Sequence, residues 1–435
     1  MKDIKELYQK LNELPSGYVS IKNISNKDYY YLKYYENGKQ KSKYIKANDI
    51  ELIRKQLKER KQIETEIKEY EKNRKRITLL SKNAISLTGS VMLGDEKVAT
   101  YKQGQLLYKN EKLCPLIIKR TNNVSLFLKG RVIDFNRTNS RLLRKVLNIN
   151  SESEEQVSLH VYGAVITDNY WFKPSGSKLK YKDISFDNDY YSDLALKGEL
   201  AFFPKLSIRS PQITTIGSFE KCWKKINNEW WLYKSGTNEQ YFSEIFCSLL
   251  AKELGIPTVI YEYDDGFIRT KNFASKYNFD PMIGLMGDEE NYNEIFESLF
   301  SIKHSLAQQY LLLSFFDCLV NNIDRHNENL GFLRDKKTGK IISLAPNFDN
   351  NLALLGYDKK LIAKPNKDGM INLFIKFIKK NEKAYEMYKK LDINRLNKKI
   401  IRECISKTPV ELDGYDVENY IIKRYEYLVS FKNNK

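Results

Sequence analysis

Histidine occurs only three times in 435 residues, at His160, His304 and His326. A two-metal phosphoesterase surrounds its metals with several imidazoles. The run Asp324-Arg325-His326 fits the Asp-x-His opening of such a site but lacks the other ligands. The five cysteines, Cys114, Cys222, Cys247, Cys318 and Cys404, are odd in number and far apart, with no Cys-x-x-Cys pair. That excludes a disulfide framework and a structural zinc site, and predicts reduced, buried thiols. Ten prolines and twenty glycines exclude collagen-like and Pro-rich chains. Long apolar runs are missing too. Stretches such as Tyr310 to Phe316 and Ile256 to Ile260 fall well short of the roughly 20 residues that span a bilayer, so no membrane helix is expected. Met1-Lys2-Asp3-Ile4-Lys5-Glu6 leads into no apolar stretch of about 7 to 15 residues, so no signal peptide is expected and the protein is placed in the cytoplasm.

Negative charge is scarce in the first third. Residues 1–150 carry 33 Lys and Arg against 16 Asp and Glu, which is +17 of the chain's net +18. Such a block fits a surface facing phosphate, either nucleic acid or anionic lipid; the alternative is a solvated lysine-rich face. Arg131, Arg137, Arg141 and Arg144 form the densest arginine cluster. They are the candidate nucleic-acid contacts, because guanidinium forks bind phosphate bidentately. The competing reading has them bracing a junction by pairing with Glu152, Glu154 and Glu155.

The length allows two or three domains, and the pattern predicts four segments. In 1–80, residues 4–13 are amphipathic and helical. Tyr18 to Ile24, Tyr29 to Tyr35 and Lys41 to Ile45 are strands, the last two joined by an Asn37-Gly38 turn. A charged helix runs from Asn48 to about Arg76. In 81–150, short strands (Ile85 to Leu93, Lys97 to Tyr101, Leu106 to Tyr108, Leu116 to Ile118) precede a helix from Ser140. In 151–290, Ile213 to Thr215 and Trp230 to Lys234 read as paired strands around Gly217, a helix covers Phe242 to Leu254, and Thr258 to Tyr263 forms a hairpin with Phe267 to Thr270. In 291–435, helices cover 292–321 and most of 369–432, with breaks at Thr408-Pro409 and Asp413-Gly414. The whole is an α+β plan in which a strand-rich part precedes a helical one.

The densest polar cluster follows an apolar helix: Asp317-Cys318-Leu319-Val320-Asn321-Asn322-Ile323-Asp324-Arg325-His326-Asn327-Glu328-Asn329. Polar groups placed against a core are costly unless they are used. Asp317 reads as a brace for the loop and His326 as a hydrogen-bonding residue that holds it. A hairpin, Leu330 to Arg334 and Ile341 to Leu344, then returns the chain to Pro346-Asn347-Phe348-Asp349. Phosphoryl transfer needs a carboxylate near the attacking hydroxyl and hard oxygen ligands for Mg²⁺. An Asp followed five residues later by an Asn, then a later Asp, is the spacing of the protein-kinase catalytic loop and its second metal ligand. Asp324, Asn329 and Asp349 fit it; the alternative is a solvated loop with a structural Asp turn.

Residues 211–432 resemble the HipA-like serine/threonine kinases. The resemblance rests on Asn322 to Gly331, Pro346 to Asp349, and Asn238-Glu239 to Gly255 with Leu250-Ala251-Lys252-Glu253-Leu254-Gly255. It implies a two-lobed kinase-like fold, ATP with Mg²⁺, and transfer of the γ-phosphate to a Ser or Thr of a protein substrate. By position, Asp324 looks like the catalytic base, and Asn329 and Asp349 look like the metal ligands. Thr214-Thr215-Ile216-Gly217-Ser218-Phe219-Glu220-Lys221 resembles the family's phosphate-covering loop, which puts Gly217 and Ser218 at the nucleotide. Trp231-Leu232-Tyr233-Lys234 resembles the strand of the nucleotide lysine, with Glu244 as its ion-pair partner; on its own, Lys234 also fits an ordinary exposed strand lysine. Order along the chain places the adenine contact on the backbone near Thr270 to Phe273, with Lys271 and Phe273 as the candidates. The chain departs from the family in having Thr214 and Thr215 where a phosphorylated serine precedes the loop glycine. The resemblance also brings a toxin-like role and an antitoxin-like partner into view, and the basic first third is expected to recruit nucleic acid or a ribonucleoprotein. Residues 8–75 are similar to an uncharacterised module of bacterial and mobile-element proteins, which implies a bacterial or phage origin. The rival is a nucleic-acid-binding protein on a degenerate kinase scaffold.

Overall fold

A computed structural model describes residues 10–11, 13–24, 27–36, 39–65, 87–102, 104–149, 153–199, 209–354, 364–393, 395–412 and 416–432. The expectations for residues 4–9, the Asn37-Gly38 turn, residues 66–76, Glu152 and Asp413-Gly414 lie outside these. The chain packs as two units, Met1–Ser86 and Leu87–Lys435.

In the first unit, β1 (Tyr18–Ile24), β2 (Lys27–Glu36) and β3 (Lys39–Ile45) form an antiparallel sheet with β2 in the centre. Alternate side chains point to opposite faces. Leu32 and Ile45 are buried on one of them. Residues 50–65 are helical. Ile63 on this helix packs against Leu11 and Leu14, and the Arg60 guanidinium donates to both of their carbonyls at 2.8 Å.

Among its described residues, the second unit contains three antiparallel sheets. The first joins β4 (Thr88–Leu93), β5 (Glu96–Lys102), β6 (Gln105–Tyr108) and β7 (Tyr170–Pro174) in the order β6-β5-β4-β7. Residues on both sides of position 150 share it, and Arg131 pairs with Asp168 at 2.6 Å. The division expected near residue 150 is therefore not a break in packing. The second sheet, in the order β10-β11-β9-β8, contains β8 (Lys221–Ile226), β9 (Glu229–Lys234), β10 (Glu262–Asp264) and β11 (Phe267–Lys271). The third joins β12 (Asn278–Pro281), β13 (Gly331–Arg334) and β14 (Ile341–Leu344).

Two expected strands are not strands. Leu116 to Ile118 opens the helix Leu116–Thr121 behind Pro115, where a missing N–H costs nothing. Ile213 to Thr215 falls in and just after the 3₁₀ turn Pro211–Thr214, capped by the Ser210 hydroxyl. The Gln212 side chain there bonds both backbone groups of Trp223, at 2.7 and 2.8 Å. The partner of β9 is instead β8, and Asn227 and Asn228 make the tight turn with φ 50° and 66°.

The helix Asn238–Glu253 begins with a Thr237–Gln240 capping box. It shares one apolar core with Tyr292–Ile302, His304–Val320, Gly369–Lys380, Glu382–Lys390, Lys398–Ser406 and Val417–Ser430. His304–Val320 is the most enclosed of these and is apolar on nearly every side, as a helix at the centre of a core must be. All five cysteines are buried and free. Among the described residues no helix is long and apolar enough to cross a membrane.

Candidate active site

Asn321, in the left-handed conformation at φ 56°, ends the helix His304–Val320, and the chain turns out of the core into the loop that carries Asp324. Arg325 ties this loop down. Its guanidinium pairs with the buried Asp317 at 3.0 Å and donates to the Asn329 carbonyl at 3.1 Å. It also reaches Asn347 Oδ1 (2.6 Å), the Phe348 carbonyl (2.5 Å) and Asn350 Oδ1 (3.0 Å). One cation thus joins the two ends of the β13–β14 hairpin, and Asp317 braces it as the sequence suggested. His326 holds the loop from within, its Nδ1 accepting the Glu328 N–H at 3.2 Å. Asn329 Nδ2 donates to the Asp324 carbonyl at 3.2 Å. Neither the Asp324 carboxylate nor the Asn329 side-chain oxygen bonds to another described residue, so both remain open to other partners.

Lys234 is buried, which excludes the exposed-lysine reading. Its ammonium lies 2.5 Å from Glu244 Oε1 and 2.5 Å from Asp349 Oδ1. Glu244, fully buried on the helix Asn238–Glu253, uses its second oxygen to accept the Asn350 N–H at 2.7 Å. Asp349 sits at φ 59°, with its N–H donating to Tyr261 Oη at 3.3 Å. Burial opposes the charge on Lys234, but the Asp349 and Glu244 carboxylates outweigh it and hold its pKa well above that of an ordinary lysine. Burial likewise works against the Asp349 carboxylate, yet Lys234 and Lys221 hold its pKa well below the usual range. Asp324 behaves differently. Burial raises its pKa, the Asp349 charge adds to the rise, and His326 and Arg325 only partly oppose it.

Sequence reasoning left out Lys221. It is the residue directly across from Lys234 in β8, so the two ammonium groups leave the same face of the sheet. It is buried, no described residue bonds its Nζ, and burial lowers its pKa to about 8 against the pull of Asp349. Its only sequence signal was its place at the end of the Thr214-to-Lys221 run. Gly217 lies over it at φ 97°, and a Cβ there would come within 2.7 Å of Lys221 Nζ. Ser218 is exposed beside Gly217. The Thr214 and Thr215 hydroxyls point inward, to the Pro211 carbonyl at 2.7 Å and the Gln212 carbonyl at 2.9 Å.

Not every expected residue shares a face with Lys234. The Lys271 side chain is on the opposite face of its sheet from Lys234, where it pairs with Glu229 at 2.7 Å and lies over Trp231, so only its backbone is on the expected side. Phe273 stacks on Phe348 at 5.2 Å and meets the edge of Phe279 at 5.4 Å, which puts it in an aromatic cluster next to Asp349. The arginine cluster is not one surface. Arg131 is buried against Asp168, and Arg137 is buried with bonds to Thr215 and Gly217. Arg144 lies 4.1 Å over the Phe135 ring, and Arg141 is exposed. Glu155, one of the acids expected to pair with this cluster, accepts from Ser125 at 2.7 Å.

A sequence family described as a domain of unknown function, DUF6788, matches residues 2–55. No curated protein matches the chain. Among solved structures, the chain is similar to a Helicobacter pylori proinflammatory kinase, CtkA, with 20% identity and a TM-score of 0.38 over 49% of this chain and 88% of that one. It is also similar to the Shewanella oneidensis MR-1 toxin–antitoxin system of HipA, HipB and operator DNA, with 14% identity and a TM-score of 0.47 over 79% of this chain and 96% of that one.

Proposed function

We propose that the second unit is a HipA-like, ATP- and Mg²⁺-dependent serine/threonine protein kinase with a two-lobed arrangement. The observation that carries the reading is the ammonium of Lys234, buried and shared between Glu244 and Asp349 at 2.5 Å each. Buried charges persist where they are paired or used, and a strand lysine paired to a helix glutamate is the arrangement kinases need at the α/β-phosphates. Lys221 supplies a second cation on the same face, and the Gly217 turn leaves backbone where a phosphate can approach.

The residues fit a bound metal. Asp349 keeps one carboxylate oxygen off Lys234, and Asn329 keeps its side-chain oxygen free, so the pair offers the hard oxygen ligands that Mg²⁺ shares with phosphates. When bound, Mg²⁺-ATP supplies the phosphoryl group and neutralises its charge. The protein's own part is to hold a Ser or Thr hydroxyl near Asp324. The open Asp324 carboxylate accepts the hydroxyl proton as the oxygen attacks, and its raised pKa suits it to that exchange. With Thr214 and Thr215 turned inward, self-phosphorylation on this loop falls to the exposed Ser218. The antitoxin-like partner, the recruitment of nucleic acid or a ribonucleoprotein, and a toxin-like role belong to the same proposal.

Incubation of the full chain with γ-labelled ATP and Mg²⁺, with and without a bacterial lysate, tests it. Label on serine or threonine that disappears with Asp324→Asn is expected. Nucleotide binding without any transfer would leave a degenerate scaffold.

A further inference from the structure

The sheet of the first unit has two unlike faces. In its register, Tyr18 lies across from Lys33, Lys22 from Tyr29, and Tyr31 from Tyr44. Residues directly opposite in an antiparallel pair share a face. One face therefore carries Tyr18, Tyr29, Tyr31 and Tyr44, interleaved with Lys22, Lys27 and Lys33. The contacts agree: Tyr44 meets Tyr31 at 5.6 Å and Tyr29 at 6.4 Å, and Lys22 lies 5.5 Å over the Tyr31 ring. Leu32 and Ile45, the buried pair, belong to the other face. The tyrosine face is open: Tyr18 and Tyr44 are 52% and 53% exposed. Among its described residues there is no carboxylate, and Ile24 is its one aliphatic side chain. Asp28 is on the other face, where it accepts from Asn23 at 2.8 Å.

This face presents rings, hydroxyls and ammonium groups with no carboxylate among its described residues, so its charge favours a polyanion over a protein of mixed charge. We propose that it binds single-stranded nucleic acid, with the exposed tyrosines stacking on bases and the lysines neutralising the phosphates between them. Charge is complementary, and every base offers a π-face to a ring. Paired bases hide those faces within the duplex, so the rings select a single strand. The inference stands on the first unit alone and does not depend on the phosphotransfer reading. It also moves nucleic-acid recognition away from Arg131 and Arg137, whose guanidinium groups are used internally.

The test is fluorescence anisotropy of the full chain with a labelled 20-nucleotide oligo(dT) and with a hairpin duplex of equal charge. Affinity for oligo(dT) should fall linearly in log salt, by about 0.7 per phosphate contacted. Tyr18→Ala and Tyr44→Ala should each weaken it by about 5- to 150-fold, while Tyr18→Phe and Tyr44→Phe, which keep the ring and the packing, should retain it. Lys22→Gln with Lys33→Gln should flatten the salt slope more than Lys41→Gln with Lys43→Gln, which remove the same charge from the other face. Tighter binding to the duplex, undiminished binding by Tyr18→Ala, or equal slopes for the two lysine pairs would each overturn the assignment.

Discussion

Arg137 holds Gly217 by two bonds: its Nε and Nη2 donate to the glycine carbonyl at 2.9 and 2.8 Å, while Nη2 also reaches the Thr215 carbonyl at 2.5 Å. A residue from the basic first third thus fixes the turn that lies over Lys221. Arg137→Lys keeps the charge but loses the fork. It should raise KM for ATP several-fold with a smaller change in kcat, because the loop must then be ordered by the nucleotide. Equal effects on both constants, measured by steady-state kinetics, would show that the arginine serves only the fold.

Asp324→Asn keeps the shape of the side chain and removes its capacity to take a proton. Phosphoryl transfer should fall by about 10² to 10⁴, with nucleotide affinity nearly unchanged. A single-turnover assay alongside equilibrium ATP binding separates the two, and unchanged turnover would move the base elsewhere.

Asp349→Ala should abolish Mg²⁺-dependent nucleotide binding. It also leaves Lys234 with Glu244 as its only carboxylate partner among the described residues. Calorimetric titration with Mg²⁺-ATP checks the point, and wild-type affinity would place the metal on other ligands.

The pKa of Lys221 is lowered to about 8 in the fold, whereas a lysine in the unfolded chain titrates near roughly 10.4. Between those values the unfolded chain binds the extra proton, so stability should rise with pH across that window, and the cost of burying the charge is in full force below about pH 8. Nucleotide phosphates favour the charged amine, so ATP affinity should fall as pH rises through the same range. Lys221→Met should flatten both profiles, as read by thermal melts and ATP titrations at pH 7 to 10.

Asp280 and Arg334, both buried, pair at 2.6 Å. Asp280→Ala leaves the buried guanidinium without its carboxylate and should cost about 3 to 5 kcal/mol in chemical denaturation, more than replacing both residues by apolar ones.

Much of this was legible in the sequence. The spacing of Asp324, Asn329 and Asp349 announced a loop, a hairpin and a return, and the structure closes them around Arg325. Lys234 and Glu244 came from the resemblance of Trp231 to Lys234 to a kinase strand, and the two side chains do pair, at 2.5 Å. The misses have local causes. Ile117 and Ile118 look like strand residues, but Pro115 starts a helix there and the tertiary packing keeps it. Ile213 to Thr215 carries the same β-branched signal, while Ser210 and Pro211 were the better guide to its turn. Lys221 was hidden because nothing in the sequence sets it apart from Lys224 and Lys225 just after it, and its importance comes from facing Lys234, which the strand register reveals. Arg131 and Arg137 looked like surface charge because their partners, Asp168 and Gly217, lie 37 and 80 residues away.

The stitching around Cys114 has a consequence for synthesis. Arg334 donates to the Cys114 carbonyl at 2.8 Å and the Lys112 carbonyl at 2.7 Å, and Asp280 accepts the Leu116 N–H at 3.0 Å. Residues 112–116 therefore wait for chain emerging 164 to 222 residues later. At about 5 to 20 residues per second on a ribosome, that interval lasts on the order of ten seconds or more. During it residues 112–116 lack the partners that anchor them in the fold, so chains released before Arg334 should be cut by proteases there faster than the full-length protein.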